Sequence, residues 1–165
     1  MEYKTLSDIA LVSSYGLLMN ELKIRKIITS KNLVGDLAEY LAIQWYQKTP
    51  SLPNITAAPK GTQNVDAIGK NGARYSIKGT TGKVTGAFWG FPHKDSTEKW
   101  QQNFEYLIIV ILGEDYQLKS INQLTWDDFL THKRWHSRMN VWNISVTNKL
   151  LDETQVIMRN GVITK

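Results

Sequence analysis

The sequence contains no cysteine among its 165 residues. Without cysteine the chain can form neither a disulfide framework nor a thiolate-bound zinc site, which excludes small disulfide-stabilised domains and cysteine-ligated zinc modules. The absence also fits a reducing compartment, and we expect a cytoplasmic protein.

Long apolar runs are absent as well. The longest covers residues 107–112, far fewer than the roughly 20 apolar residues that a membrane-spanning helix needs. Glu2 and Asp8 interrupt the first apolar residues, which do not follow the pattern of a signal peptide. Phosphate-loop, dinucleotide-binding and nucleophile-elbow patterns are likewise missing. We therefore expect no membrane partner and no small-molecule substrate.

Basic residues exceed acidic ones. Twenty Lys and Arg residues against 15 Asp and Glu residues give a formal charge of +5 and a pI near 9.3. A basic surface attracts polyanions, above all nucleic acids. The excess is spread along the chain, however, and many basic proteins bind no nucleic acid. Charge alone leaves open a single-domain protein with no nucleic-acid role.

The apolar patterning predicts one α/β or α+β domain in which two helices lead, a mixed sheet follows and helices return. Gly113 ends the continuous apolar run, which is typical of a central strand covered on both faces. Ser30 is the predicted N-cap of the second helix, and Thr125 that of the third. The predicted elements are helices at 5–28, 30–45, from 125 and at 147–152, strands at 63–68, 73–78, 104–112, 116–121 and 141–146, and a hairpin at 155–164.

A hairpin at residues 63–78 carries candidate chemistry. Residues two apart in a strand share a face, so Ser76 and Lys78 point the same way. A three-residue loop at 70–72, with Gly72 in the left-handed region, would set Asp66 opposite Ser76 and on the side of Lys78. A two-residue loop would set Asp66 opposite Ile77, on the other face. The sequence favours the three-residue loop.

An aspartate and a lysine on one patch of sheet suit phosphodiester hydrolysis. The carboxylate can hold Mg²⁺, and the ammonium can orient a water or stabilise charge on the phosphate. The alternative is a surface ion pair of little consequence. Glu39 shares a side of the second helix with Gly35, Ala42 and Tyr46, which suggests a face close to other backbone with one acid aimed into a site. Its alternative is a solvated glutamate.

These segments, Gly-Asp-Leu-Ala-Glu39-Tyr, Asn-Val-Asp66-Ala-Ile and Tyr-Ser-Ile-Lys78, together resemble the PD-(D/E)XK, or restriction-endonuclease-like, nuclease superfamily. The resemblance covers about residues 33–112. It implies a central mixed sheet flanked by helices, and an active site formed by Asp66, Lys78, Glu39 and Ser76 with Mg²⁺ held by Asp66 and Glu39. Ser76 departs from the family pattern, which usually has an acidic residue there. Either Glu39 supplies the missing carboxylate, or the site binds without cutting.

The resemblance implies a Mg²⁺-dependent DNA endonuclease, such as a small type II restriction enzyme that acts as a homodimer on a palindromic target. The alternative is a catalytically degenerate DNA-binding or subunit-interaction module on the same fold. Basic, aromatic and amide side chains are the usual contacts to phosphates and bases. The predicted DNA-binding residues are Lys60, Arg74, Lys83, Arg134, His136, Arg138 and Asn140. An amphipathic helix end with Trp135 in the core is the other interpretation of residues 134–140.

Overall fold

A computed structural model describes residues 2–59 and 61–163. Four α-helices and nine strands follow a short 3-10 turn at Tyr3–Thr5. The helices are α1 (Asp8–Ile24), α2 (Leu33–Lys48), α3 (Trp126–His132) and α4 (Asn148–Glu153). The strands are β1 (Ile55–Ala57), β2 (Ala67–Gly69), β3 (Arg74–Thr80), β4 (Tyr106–Leu112), β5 (Leu118–Thr125), β6 (Lys133–His136), β7 (Val141–Ile144), β8 (Gln155–Arg159) and β9 (Val162–Ile163).

Seven of the strands form one mixed sheet in the order β1-β2-β3-β4-β5-β8-β9. Strands β3 and β4 are parallel, and the other neighbours are antiparallel. Strands β6 and β7 form a separate hairpin. The expectation of an α/β protein with a mixed sheet flanked by helices is confirmed. Within the described ranges, no helix combines the length and apolar character needed to cross a lipid bilayer.

Strand β4 lies at the centre of the sheet, as its continuous apolar sequence predicts. Ile108 and Val110 belong to a core that also contains residues of α2, whereas Leu107 and Ile109 pack on the other face with aromatic residues that include Phe129 of α3. Because successive side chains of a strand point to opposite faces, an uninterrupted apolar run is required wherever both faces are covered.

Helix α2 packs closely on β3 because small residues line the contact. Ala38 and Ala42 are fully buried. A Cβ added to Gly79 would lie 2.6 Å from the Ala38 Cβ and 2.7 Å from the Val34 carbonyl oxygen. Only glycine permits this approach, and it brings the helix alongside the end of β3 that carries Lys78.

The N-cap of α2 differs from the prediction. Asn32 caps the helix, with its Oδ1 accepting a hydrogen bond from the Gly35 amide at 3.2 Å. Ser30 lies two residues earlier, where its amide and hydroxyl bind the carboxylate of Asp36. Asparagine and serine serve equally well as N-caps, so the sequence alone did not separate the two positions.

Three other predictions need correction. The strand expected at 63–68 is much shorter, because only β2 is paired, and β1 at the sheet edge was missed. Residues 133–136 form β6 and not a helix end, so the alternative for residues 134–140 is wrong. The helix expected at 5–28 is confirmed over a shorter range, as α1.

The start of α3 and the turn of the final hairpin follow their sequence signals. Thr125 and Asp128 form a capping box at the start of α3, which confirms the helix predicted there. The final hairpin turns at Asn160 and Gly161, both of which have positive φ. Such φ angles are what the Asn-Gly pair favours.

Candidate active site

The hairpin between β2 and β3 has the three-residue loop expected from its sequence. Ala67 lies opposite Tyr75, and Gly69 donates its amide hydrogen to the Ala73 carbonyl at 2.8 Å. Gly72 has a φ of +82°, the left-handed conformation that this loop requires. The register, continued by one residue, brings Asp66 against Ser76 and confirms that the two lie on one side.

The Asp66 carboxylate is held by the strand beside it. Its Oδ2 accepts a hydrogen bond from the Ile77 amide at 2.6 Å and another from the Ser76 hydroxyl at 3.3 Å. Within the part of the chain that the structure describes, its Oδ1 accepts none. One oxygen is therefore fixed by donors, and the other is available to a ligand.

Lys78 follows on the same strand, two residues beyond Ser76. Its Nζ lies 3.9 Å from the Asp66 Oδ2 and 5.3 Å from the centre of the Phe88 ring. The side chains of Lys78 and Asp66 are 19% and 21% exposed. At 3.9 Å the pair is an ion pair without a hydrogen bond, so the ammonium keeps its donors for a substrate while the aromatic ring limits its movement.

Glu39 enters the same site from α2. The pKa of its carboxyl is raised to about 7, mainly by burial and to a smaller extent by repulsion from Asp66 and Asp36, while Lys78 opposes the change. Glu39 and Asp66 line the same cleft. Because two carboxylates in one partly buried place repel each other when ionised, a bound cation would relieve the repulsion.

A cleft of about 630 Å³ opens in front of the two carboxylates. Glu39, Tyr40 and Gln44 of α2 line one side, and residues 57–59, 61, 62, 65 and 66 line the other. The cleft holds apolar, aromatic and amide groups next to the acids.

The donor set available to a metal consists of two carboxylates. No group of three or more His, Cys, Asp or Glu side chains close enough to hold a metal ion occurs in residues 2–59 and 61–163. Mg²⁺ is commonly held by one or two carboxylates and keeps several waters, so Asp66 and Glu39 fit this ion. Ser76 is fully buried and donates its hydroxyl to Asp66, and it therefore positions that ligand instead of replacing one.

The predicted basic contacts near the hairpin divide into three cases. Arg74 lies at the opposite end of β3 from Lys78, where its Nη2 donates to Glu105 at 2.6 Å and to the Gln102 carbonyl. Glu105 raises the pKa of Arg74 and neutralises its charge. The Arg74 guanidinium is therefore engaged in this ion pair. Lys83 is exposed in the loop after β3. Lys60 lies outside the described residues.

The other four candidates lie on the β6–β7 hairpin. The His136 Nδ1 accepts a hydrogen bond from the Met139 amide at 3.2 Å, and Asn140 has a φ of +52°. Both therefore have a structural role in the turn. Arg134 and Arg138 are exposed, and no described residue forms a hydrogen bond or ion pair with either guanidinium. Among the described residues of the predicted group, Arg134, Arg138 and Lys83 are the exposed cations without an ion-pair partner.

An exposed tryptophan borders the site. Trp89 is 56% exposed. Its carbonyl accepts a hydrogen bond from the Asn64 side chain at 2.8 Å, two residues before Asp66. Sequence reasoning missed Asn64, although asparagine is favoured at a position with positive φ such as this one, 58°. The bond ties the loop that carries Trp89 to the segment that carries Asp66.

Comparison with known proteins adds no assignment. No protein-family model matches the chain, and no curated protein is significantly similar to it.

Proposed function

We propose that this chain is a Mg²⁺-dependent endonuclease with a restriction-endonuclease-like core, and that it hydrolyses phosphodiester bonds in DNA. One observation supports the proposal above the others. Asp66 and Lys78 lie together across the β2–β3 hairpin, and Glu39 of the preceding helix lines the same cleft as Asp66. The resemblance to PD-(D/E)XK nucleases requires these residue types on these elements in this order.

Each group has a distinct role. Asp66 and Glu39 would hold Mg²⁺, which when bound would neutralise phosphate charge and make a water more acidic. Ser76 and the Ile77 amide fix Asp66 in orientation. Lys78 stabilises the negative charge that develops on the phosphate as the attacking oxygen approaches, because its ammonium lies beside Asp66 without donating to it.

The exposed cations are the proposed contacts to DNA. Phe88 and Trp142 form an isolated bridge that joins the loop after β3 to the β6–β7 hairpin. Phe88 also lies under the ammonium of Lys78. Lys83 in the loop and Arg134 and Arg138 on the hairpin therefore belong to elements adjoining the site, where they can bind backbone phosphates on either side of the cleaved bond.

The second candidate is a DNA-binding module without catalysis. The observation that favours it is the neutral, buried Ser76 at a position where the family usually has an acidic ligand. The metal would then have two protein carboxylates and no third. In this case the chain binds DNA in Ca²⁺ and leaves it intact in Mg²⁺.

Cleavage of supercoiled plasmid separates the two candidates. We expect nicked and linear products in Mg²⁺ and none in EDTA, and a loss of at least about 100-fold in rate for Asp66→Asn and for Lys78→Met. The matched controls are Asp152→Asn and Lys149→Met, which remove the same charge from exposed positions of α4. An intact plasmid in both Mg²⁺ and Mn²⁺, with a gel shift in Ca²⁺, would instead support the binding module.

Salt dependence of binding tests the proposed contacts. Each phosphate contact releases counterions, so Arg134→Ala and Arg138→Ala should each flatten the plot of log affinity against log salt by about one unit. Arg74→Ala should leave the slope unchanged, because its charge is already neutralised by Glu105. Equal slopes for all three variants would remove the β6–β7 hairpin from the interface.

A further inference from the structure

Helix α1 presents its apolar residues to solvent. None of its 17 residues is buried. Seven large apolar side chains on this helix are between 46% and 84% exposed: Ile9, Leu11, Val12, Tyr15, Leu17, Leu18 and Ile24. Each of the other described α-helices, α2, α3 and α4, buries at least one side chain.

The helix is attached to the rest of the chain chiefly at its C-terminal end. The amides of Ile27 and Ile28 both donate to the Leu22 carbonyl, and Ile28 is buried. No other described helix or strand packs extensively against α1. A helix of this length is only marginally stable in water by itself, so its apolar side chains call for a surface that covers them.

One side of α1 follows a heptad pattern. Leu11, Tyr15, Leu18 and Leu22 are spaced by four, three and four residues, the spacing that keeps side chains on the seam between two paired helices. The same spacing continues outward by three residues in each direction. It reaches Asp8 in the first turn and, just beyond the last turn, Arg25.

The charges at the two ends of this seam select a partner and an orientation. In an antiparallel pair of identical helices related by a twofold axis, Tyr15 faces Leu18, Leu11 faces Leu22 and Asp8 faces Arg25. A parallel pair would set each charge against its own copy, which is repulsive. Antiparallel alignment also opposes the two helix dipoles.

We propose that α1 is a dimerisation helix that pairs antiparallel with α1 of a second copy of this chain. The pairing is closed by its twofold axis, which limits it to a dimer. The Arg25 side chain is 67% exposed and donates its Nε to Glu21 at 2.7 Å. A guanidinium has further N–H groups, so Arg25 can bind Asp8 of the other copy without losing Glu21. The proposal does not depend on the nuclease function.

The exposed area limits how strong this pairing can be. Taking roughly 200 Å² for a fully exposed large side chain, the seven residues present on the order of 900 Å², compared with about 800 Å² per partner in a standard interface. The three of these residues that lie on the seam, Leu11, Tyr15 and Leu18, present on the order of 300 Å² of this area. Ile9, Leu17 and Ile24 lie behind the seam. We therefore expect a modest dimer that dissociates on dilution.

Sedimentation velocity over a range of protein concentrations tests the pairing. We expect the full chain to shift from monomer to dimer as concentration rises. Leu18→Asp on the seam should raise the dissociation constant by at least tenfold. Leu17→Asp is the matched control, since it makes the same change one residue away at a more exposed position, and it should leave the dissociation constant within about twofold.

A charge exchange tests the orientation. Asp8→Arg alone and Arg25→Asp alone should each weaken self-association several-fold, because each sets like charges together at both ends of the seam. An equimolar mixture of the two variants should recover the wild-type dissociation constant, since the introduced arginine of one chain then faces the introduced aspartate of the other. This recovery requires no apolar substitution and remains informative if Leu18→Asp fails to fold.

Three outcomes would overturn the proposal. The first is a wild-type chain that stays monomeric at every concentration reached. The second is an equal effect of Leu17→Asp and Leu18→Asp, which would mean that the seam is not the contact. The third is failure of the mixed charge variants to recover while each alone is weakened. A monomeric chain that binds vesicles of neutral phosphatidylcholine through α1 would identify lipid as the occupant instead.

Discussion

Helices α1 and α2 have almost the same length, 17 and 16 residues, but opposite relations to the rest of the molecule. Helix α2 buries Ala38, Ala42 and Tyr46 against the sheet and directs Glu39 into the cleft. Helix α1 carries more large apolar residues and buries none. The difference teaches that apolar content alone does not attach a helix to its own core. Here α2 is attached to the core by small residues that allow close approach, such as Ala38 against Gly79.

The largest effect should come from filling that close approach. Gly79→Ala places a methyl group against the Val34 carbonyl oxygen, and we expect it to lower the free energy of unfolding by about 2–3 kcal/mol. Gly16→Ala makes the same change in α1, where nothing lies within 4 Å, and should leave the global free energy of unfolding within about 0.5 kcal/mol, because α1 is not coupled to the core. Urea unfolding of both variants measures this. Equal losses would mean that α1 is packed as tightly as α2.

Activity should separate the glutamates of the two helices. Glu39→Gln removes a proposed metal ligand while preserving shape, and we expect its cleavage rate to fall about 100-fold or more. Glu21→Gln in α1 loses only an exposed pair with Arg25 and should retain the wild-type rate. Plasmid cleavage in Mg²⁺ at matched protein concentrations checks both. Wild-type cleavage by Glu39→Gln would exclude Glu39 from the site.

The same glutamates should differ in how stability depends on pH. The pKa of Glu39 is about 7 in the folded protein and lower in the unfolded chain, so the folded state holds this proton more tightly. Unfolding free energy of the metal-free protein should therefore fall as pH rises from 4.5 to about 7, by about 1–2 kcal/mol after solvent screening. Glu39→Gln should lose this component and Glu21→Gln should keep it. Denaturant unfolding at pH 4.5, 6 and 8 measures the slopes.

The smallest expected effect concerns the two N-caps. Ser7 accepts a hydrogen bond from the Ala10 amide at 3.3 Å, and Asn32 accepts one from Gly35 at 3.2 Å. Asn32→Ala should lower the global free energy of unfolding by about 1 kcal/mol. Ser7→Ala should change it by less than about 0.5 kcal/mol in the monomer, because α1 is not coupled to the core. A cap effect of equal size at both helices would contradict this separation.

Much of the candidate site could be predicted because it depends on local rules. The β2–β3 register follows from the loop length and from Gly72, and these set Asp66 against Ser76 without reference to the rest of the chain. The sequence placed Glu39 on one face of its helix, but it did not show that this face lies in the site. Its pairing with Asp66 depends on how closely α2 approaches β3, and the residue that permits this, Gly79, is 40 positions away along the chain.

The basic residues were harder to predict, because a charged side chain looks the same in sequence whether it is free or paired. Arg74 was expected to contact DNA, but Glu105 lies beside it across the parallel β3–β4 pair. For residues 134–140 the sequence left two interpretations, a nucleic-acid surface and a helix end. It is a hairpin, because residues 133–136 find a pairing strand in 141–144, and two of its predicted contacts stabilise the turn.

By itself the sequence determined the turns, the central strand β4, the capping box at Thr125 and the common side of Asp66, Ser76 and Lys78. These features depend on interactions within a few residues or on a strict two-residue period. Only the tertiary structure decided that Ser76 is a buried donor, that Glu39 joins the carboxylate cluster and that α1 stands apart from the core. Burial and long-range electrostatics depend on which surfaces meet, and residues far apart in the chain decide that.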